Sequence, residues 1–362
     1  MSIIMKGLGL LTGKKAPKEL VRDAVECLKV IARDPELTTQ KDSKQQKAAE
    51  DCGKLLSGIK QLLLGNTAAV EKEEPKKSDI NDIAKEAYDT DFLLLLVQYL
   101  EHLDFESRKD GMIIFNFLVK LQMNGRYTTV DYICEHSQIL TILLHGYEKS
   151  EVSLLCGSML RECFKHEILT RKMLSCDDVY KLFIYVDNSN FEMQSDAFVT
   201  FKELLTSRHK AIVAEFLENN FEKFFGEYNN LLNSKNYVTK RQSLKTLGEI
   251  ILDRSNFNVM SRYINDKNNL KLMMNLLLDK RKNIQFEAFH VFKVFIANPH
   301  KSAQVKDIIR LNREKLINYL KEFQPEREKE DEQFYEEKSQ LISILMSEQE
   351  KDSEDKNEQQ QQ

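Results

Sequence analysis

The chain has 362 residues, 30% of them charged, a net charge of −4, and only 12 glycines and 5 prolines. That length can bury a large core, and the scarcity of turn residues favours a helical protein with few tight turns. The slightly acidic balance offers no global attraction to nucleic acid or anionic lipid.

In chain order, residues 1–16 are mildly apolar, but Lys6, Gly7, Gly9 and Gly13 break any signal-peptide core, and no cleavage site follows. Ser2 stands where N-myristoylation needs glycine. Lys15 stands where a phosphate loop after Gly13-Lys14 needs a hydroxyl, and the glycine spacing is wrong. This segment is expected to be poorly ordered. Pro17 opens a first helix with Leu20, Val21, Ala24, Leu28 and Ile31 on one stripe. A second run, Lys41 to Leu64, turns Cys52, Leu55, Ile59 and Leu62 or Leu63 inward, and Gly65 can close it in the left-handed conformation. Residues 68–80 are charged and aperiodic, which predicts a flexible loop inside one domain.

A small residue followed by an apolar helix then recurs at Gly111, Gly157, Ala197, Ser243 and Ala288, 40 to 46 residues apart. Further helices fall between, at 130–145, 177–186 and 211–232. Two or three helices per ~40–47 residues is the period of armadillo and HEAT repeats. The expected fold is therefore all-α: an armadillo/HEAT-like helical-repeat solenoid over residues 17–346, curved by a small rotation per unit and so carrying a concave face. Asn236 to Pro299 reads as three helices. Leu244, Leu247 and Ile251 share one face of the first, Asn268-Asn269 can cap the second, and the third is apolar nearly all round until Asn298-Pro299 stops it. Helices at 305–323 and 332–346 follow. The tail, 347–362, has no apolar residue and is expected to be disordered.

No catalytic constellation emerges. Cys156, Cys163 and His166 lack the second ligand pair of a zinc site, and cysteine on an apolar helix is ordinarily core packing. Glu162 has Lys165 one turn on, an ordinary surface pair, and Asp196 reads as a charge on a helix's first turn. His290 reads as a core histidine. The six cysteines, with no C-x-x-C, fit free thiols in a reducing cytosol or nucleus. No metal or cofactor is expected, and no EF-hand loop is present. RNA reading one base per repeat would need a regular side-chain code that these divergent repeats lack.

Within 236–299, Tyr237, Lys240, Arg241, Arg254, Phe257, Lys271 and Met274 interrupt the apolar pattern. Arginines, aromatics and a methionine gathered this way are either a protein-binding surface or a solvated basic face beside a core aromatic.

The runs NYVTKRQSLK, NLKLMMNLL and NIQFEAFHVFKVFIANP, with LDFESRKD, VDYICE, MLREC and SDAFVTFKELLT upstream, closely resemble the calcium-binding-protein-39-like family of kinase scaffolds, over about residues 17 to 335. The resemblance implies a right-handed solenoid without enzyme activity, in the cytoplasm. Its partners would be a germinal-centre-type protein kinase or a related pseudokinase, with a tumour-suppressor serine/threonine kinase in a ternary complex, acting in polarity and growth signalling. It places Phe191, Tyr237 and Arg241 on a concave kinase-binding face. It places Arg254, Phe257 and Met274, with Lys271 one turn away, in a pocket for a Trp-Glu-Phe-type tail. Leu311 stands where the family usually has a basic residue near that pocket. A reading from a different class is a general peptide adaptor that activates no kinase.

Overall fold

The computed structural model describes residues 15–32, 43–65, 74–206 and 208–360. Among these residues there is no strand, and the chain is built of twenty α-helices in a helical-repeat arrangement. Chain contacts divide it into two units, Met1–Leu204 and Leu205–Gln362.

The first unit holds α1 (Pro17–Ala32), α2 (Ser43–Leu64), α3 (Lys77–Asp89), α4 (Phe92–Tyr99), α5 (Phe105–Lys120), α6 (Thr128–Glu135), α7 (Gln138–His145), α8 (Ser153–Cys163), α9 (Glu167–Leu174), α10 (Lys181–Tyr185) and most of α11 (Phe191–Thr206). The second holds α12 (Lys210–Asn219), α13 (Phe221–Leu232), α14 (Tyr237–Leu252), α15 (Phe257–Ile264), α16 (Lys267–Leu277), α17 (Lys282–Ala297), α18 (Ala303–Lys321), α19 (Pro325–Glu330) and α20 (Glu332–Gln360).

The recurring small residues all lie buried in the long last helix of each repeat: Gly111 in α5, Gly157 in α8, Ala197 in α11, Ser243 in α14 and Ala288 in α17. These helices stack on their like, α5 on α8 in the first unit and α14 on α17 in the second. A Cβ added at Gly111 would press on Leu96 and Leu100, and one at Gly157 on Asp196 and Tyr147.

Short polar residues start the helices by accepting otherwise unpaired N–H groups. The Asp104 side chain accepts from Glu106 and Ser107 at the head of α5, and Asn236 accepts from Val238 and Thr239 at the head of α14. At the head of α16 the capping residue is Asp266 rather than the expected Asn268-Asn269, whose backbone N–H groups are the ones it satisfies. Gly65 has φ 77°, the left-handed cap expected at the end of α2.

Other expectations shift by small amounts. Leu56, not Leu55, takes the inward position on α2. The charged stretch 68–80 ends in helix, because α3 begins at Lys77; its residues 68–73 lie outside the described residues, as do 1–14. The last helix continues to Gln360, into the stretch expected to be disordered. Glu, Lys and Gln are good helix formers and can prolong a helix without an apolar partner.

One expectation is corrected outright. Asp196 does not serve the first turn of α11; Asn190 does, accepting from Glu192 and Met193. The carboxylate of Asp196 instead receives both arms of Arg161 from α8, Nη1 on Oδ2 and Nη2 on Oδ1, each at 2.9 Å. Tyr147 donates to the same Oδ2 at 2.6 Å, and Thr200 accepts from Arg161 Nη1 at 2.6 Å. The Cβ of any residue at 157 would collide with Asp196 Oδ2 and the Tyr147 hydroxyl, so Gly157 is the floor of this network. Glu162 does pair with Lys165 (2.9 Å), but it is buried rather than on the surface and is also held by Lys120 from α5 (3.1 Å).

The second unit is closed by α20. Phe334 packs edge-on to Phe289 with centroids 5.1 Å apart, and Leu341 and Leu345 continue that seam. The buried Lys338 ammonium donates to the Phe323 carbonyl at 3.1 Å and to Glu328 at 2.6 Å, so the cation enters the core already paired.

Candidate functional site

The heads of α14 and α17 form one polar surface. Asn236 starts α14 so that Tyr237 and Arg241 lie one turn apart on it. The Tyr237 hydroxyl accepts from Asn283 Nδ2 at 3.2 Å, and the Arg281 guanidinium lies 5.3 Å from the Tyr237 ring centroid. Arg241 Nε donates to Glu287 at 3.4 Å. Arg281 clamps Asp279 through Nε and Nη2, at 2.8 and 2.7 Å, with Lys240 3.8 Å from the same carboxylate. Farther along, Arg327 of α19 stacks on Phe286 at 3.9 Å and reaches Asn283 Oδ1 at 3.5 Å. Phe191, the third residue assigned to a kinase-binding face, is exposed at the head of α11 in the other unit.

The Arg281 hydrogen bonds hold the Asp279 carboxyl down, to about 2, against the opposing effect of burial. A carboxyl lowered on folding stabilises the protein above its unfolded pKa of about 4, and that stability is lost as pH falls toward the folded value. In urea titrations the wild type should exceed Asp279→Asn by about 2 kcal/mol at pH 6, with the gap closing by about pH 2. A gap that stays constant with pH would show that the Arg281 clamp does not set the Asp279 titration.

The four residues of the expected pocket lie on consecutive elements. The Asp253 side chain accepts from Ser255 N and shapes a 3₁₀ turn, Arg254–Asn256, before α15. Arg254 therefore projects from a turn, exposed, with no ion-pair partner among the described residues, and Phe257 follows it 63% exposed. Buried Asn256 donates to the Ile250 carbonyl at 2.8 Å and locks the turn from beneath. On α16, which packs on α15, Lys271 is exposed and Met274 half-buried, one helical turn apart. Leu311 is exposed on α18, which packs on α16. An unpaired guanidinium and a bare phenyl ring on one turn can meet a carboxylate and an aromatic anchor.

The profile of the Mo25-like family matches residues 10–347. The chain belongs to the Mo25-like family. Calcium-binding protein 39-like of Mus musculus is 47% identical over 324 residues, covering 90% of this chain and 94% of that one. A Mo25-like protein of Schizosaccharomyces pombe is 47% identical over 331 residues, covering 91% and 97%. Among solved structures, a designed armadillo repeat protein in complex with a peptide is similar at 12% identity and a TM-score of 0.42, over 78% of this chain and 100% of that one.

Elsewhere in this Mo25-like chain, burial pushes the thiols of Cys156, to about 12, and Cys163 well above the ordinary range, so neither is a ready nucleophile. His290 lies edge-on to Phe286 at 4.5 Å and beside Lys293 and Glu337, half-buried rather than sealed in the core. Among the described residues no group of three or more His, Cys, Asp and Glu could hold a metal ion, and no helix is long and apolar enough to cross a membrane. Sequence reading missed Arg281, Asn283, Glu287 and Arg327 as members of the α14–α17 surface. Their one local signal is Asp279-Lys280-Arg281 ahead of a helix, a common polar break.

Proposed function

We propose that this Mo25-like chain is a non-catalytic scaffold that binds a protein kinase or pseudokinase and favours its active conformation. Phe191, Tyr237 and Arg241 would contact the kinase domain. Arg254, Phe257, Lys271 and Met274 would receive a tail peptide of the Trp-Glu-Phe type. The expected partner is a germinal-centre-type kinase or a related pseudokinase, with a tumour-suppressor-type serine/threonine kinase joining a ternary complex in the cytoplasm. The observation that carries the reading is the outward pairing of Arg254 and Phe257 on a locked turn in a chain of this family. Both stay largely in solvent, and an arginine and an aromatic ring three residues apart are residue types that binding hot spots favour.

The mechanism is a population shift. A scaffold that prefers the active kinase conformer by about 5.5 kcal/mol turns a 1:99 equilibrium into 99:1, and a few hot-spot contacts are of that size. The test is a kinase assay with a purified germinal-centre-type kinase domain titrated with the full-length protein. Wild type should raise activity to saturation. Arg241→Ala should lose the activation while still binding the tail peptide. Activation unchanged in Arg241→Ala would remove that residue from the kinase contact. Peptide binding with no activation by the wild type would leave a general peptide adaptor.

A further inference from the structure

Between the first turn of α7 and one face of α9 the first unit leaves an open cleft of about 670 Å³, within the usual range of ligand sites. Its floor is Leu140 and Met173, both buried, the second an unbranched side chain that adapts to what it meets. Ile168, Arg171, Lys172 and Ser175 recur at i, i+3, i+4 and i+7 along α9 and its last turn, and make one wall. Ile168 is 51% exposed there. Among the described residues Lys172 has no ion-pair partner, and the side chain of Gln138, on the opposite wall, makes no hydrogen bond. The described lining holds two cations and no carboxylate, so the cleft is complementary to an apolar segment that carries a negative charge.

The place of the cleft in its repeat points the same way. Each repeat closes on a long helix, α8 here and α17 in the second unit. The helices before and after α8 are α7 and α9; those before and after α17 are α16 and α18, which carry Lys271, Met274 and Leu311. Within its own repeat the cleft therefore occupies the position of the proposed tail pocket, with a different lining.

We propose that this cleft is a second peptide site, taking a short extended segment of a partner protein that carries a carboxylate two residues from an aliphatic side chain. The aliphatic side chain rests on Leu140, Met173 and Ile168, and the carboxylate meets Lys172 and Arg171. Length favours an extended segment: α7 and α9 have 8 residues each, about 12 Å of helix, which three or four extended residues span. Side chains two apart on such a segment point the same way, so both enter the cleft. The site goes beyond the scaffold reading, because it shares no residue with the tail pocket or with the proposed kinase contact.

The probe is the capped peptide Ser-Leu-Ser-Glu-Ser, together with its glutamine copy, titrated into the full-length protein at low and at physiological ionic strength. The glutamate peptide should bind about fivefold more tightly than the copy, with the preference shrinking as salt rises. Arg171→Glu combined with Lys172→Glu, at unchanged helicity, should remove that preference, and Ile168→Ser should weaken both peptides alike. Equal affinity for the two peptides, a preference that survives the double variant, or binding untouched by Ile168→Ser overturns the proposal. So does citrate binding more tightly than the glutamate peptide, which would make the cleft a site for small anions.

The variant Arg254→Ala/Met274→Ala separates this site from the tail pocket. It should bind Ser-Leu-Ser-Glu-Ser as the wild type does while losing a Trp-Glu-Phe peptide. Loss of both peptides places both in the tail pocket and overturns the second site. A wild type that binds the glutamate peptide with the expected selectivity, yet does not bind Trp-Glu-Phe, keeps the cleft and defeats the tail pocket.

Discussion

Replacing Arg161 with leucine should destabilise the protein by about 3–5 kcal/mol, seen as a lower urea midpoint at unchanged slope. The side chains of Arg161 and Asp196 are only 24% and 17% exposed, so removing the guanidinium leaves a carboxylate largely desolvated. Tyr147 would remain a donor to it, but one neutral hydroxyl cannot replace a bidentate cation. The double variant Arg161→Leu/Asp196→Leu should recover much of the loss, because the cost lies in the stranded charge rather than in the absent pair. Gly157→Ala attacks the same network by volume: the added methyl must displace both Asp196 and Tyr147, at a cost of about 1–3 kcal/mol. An Arg161→Leu loss below about 1 kcal/mol would mean that water already serves the carboxylate and that the network is not a buried one.

The second large effect concerns binding. A peptide ending in Trp-Glu-Phe should bind the wild type saturably, and Arg254→Ala should weaken it about 100-fold, the usual consequence of removing one partner of a desolvated charge pair. Phe257→Ala should cost about 30-fold through the lost aromatic wall. Neither change should alter the unfolding free energy by more than about 0.5 kcal/mol, since the Phe257 ring is largely in solvent and Arg254 has no internal ion pair among the described residues. Loss of binding without loss of stability is therefore the distinguishing result. Binding that survives Arg254→Ala combined with Met274→Ala would place the peptide elsewhere on the molecule.

Many helices and their inward faces were legible from the chain alone, although 130–145 and 211–232, each read as one run, are the helix pairs α6–α7 and α12–α13. Val21, Ala24, Leu28 and Ile31 recur at helical spacing and are all buried; Gly65 takes the left-handed cap, and Asn298-Pro299 follows the last turn of α17. The period of the small residues disclosed the repeat, and Gly111, Gly157, Ala197, Ser243 and Ala288 are all buried on successive long helices. The family resemblance was equally legible, and with it the candidate residues Arg254 and Phe257.

Only the tertiary structure paired Arg161 with Asp196, 35 residues on, and set Glu287 beneath Arg241 across 46 residues. It alone turned Arg281 and Arg241 outward over their sheltered carboxylates. A helix's faces follow from neighbours within a few residues, which a periodic pattern records. Which polar groups meet between repeats depends on how helices stack and rotate, and in repeats as divergent as these no local spacing encodes that register.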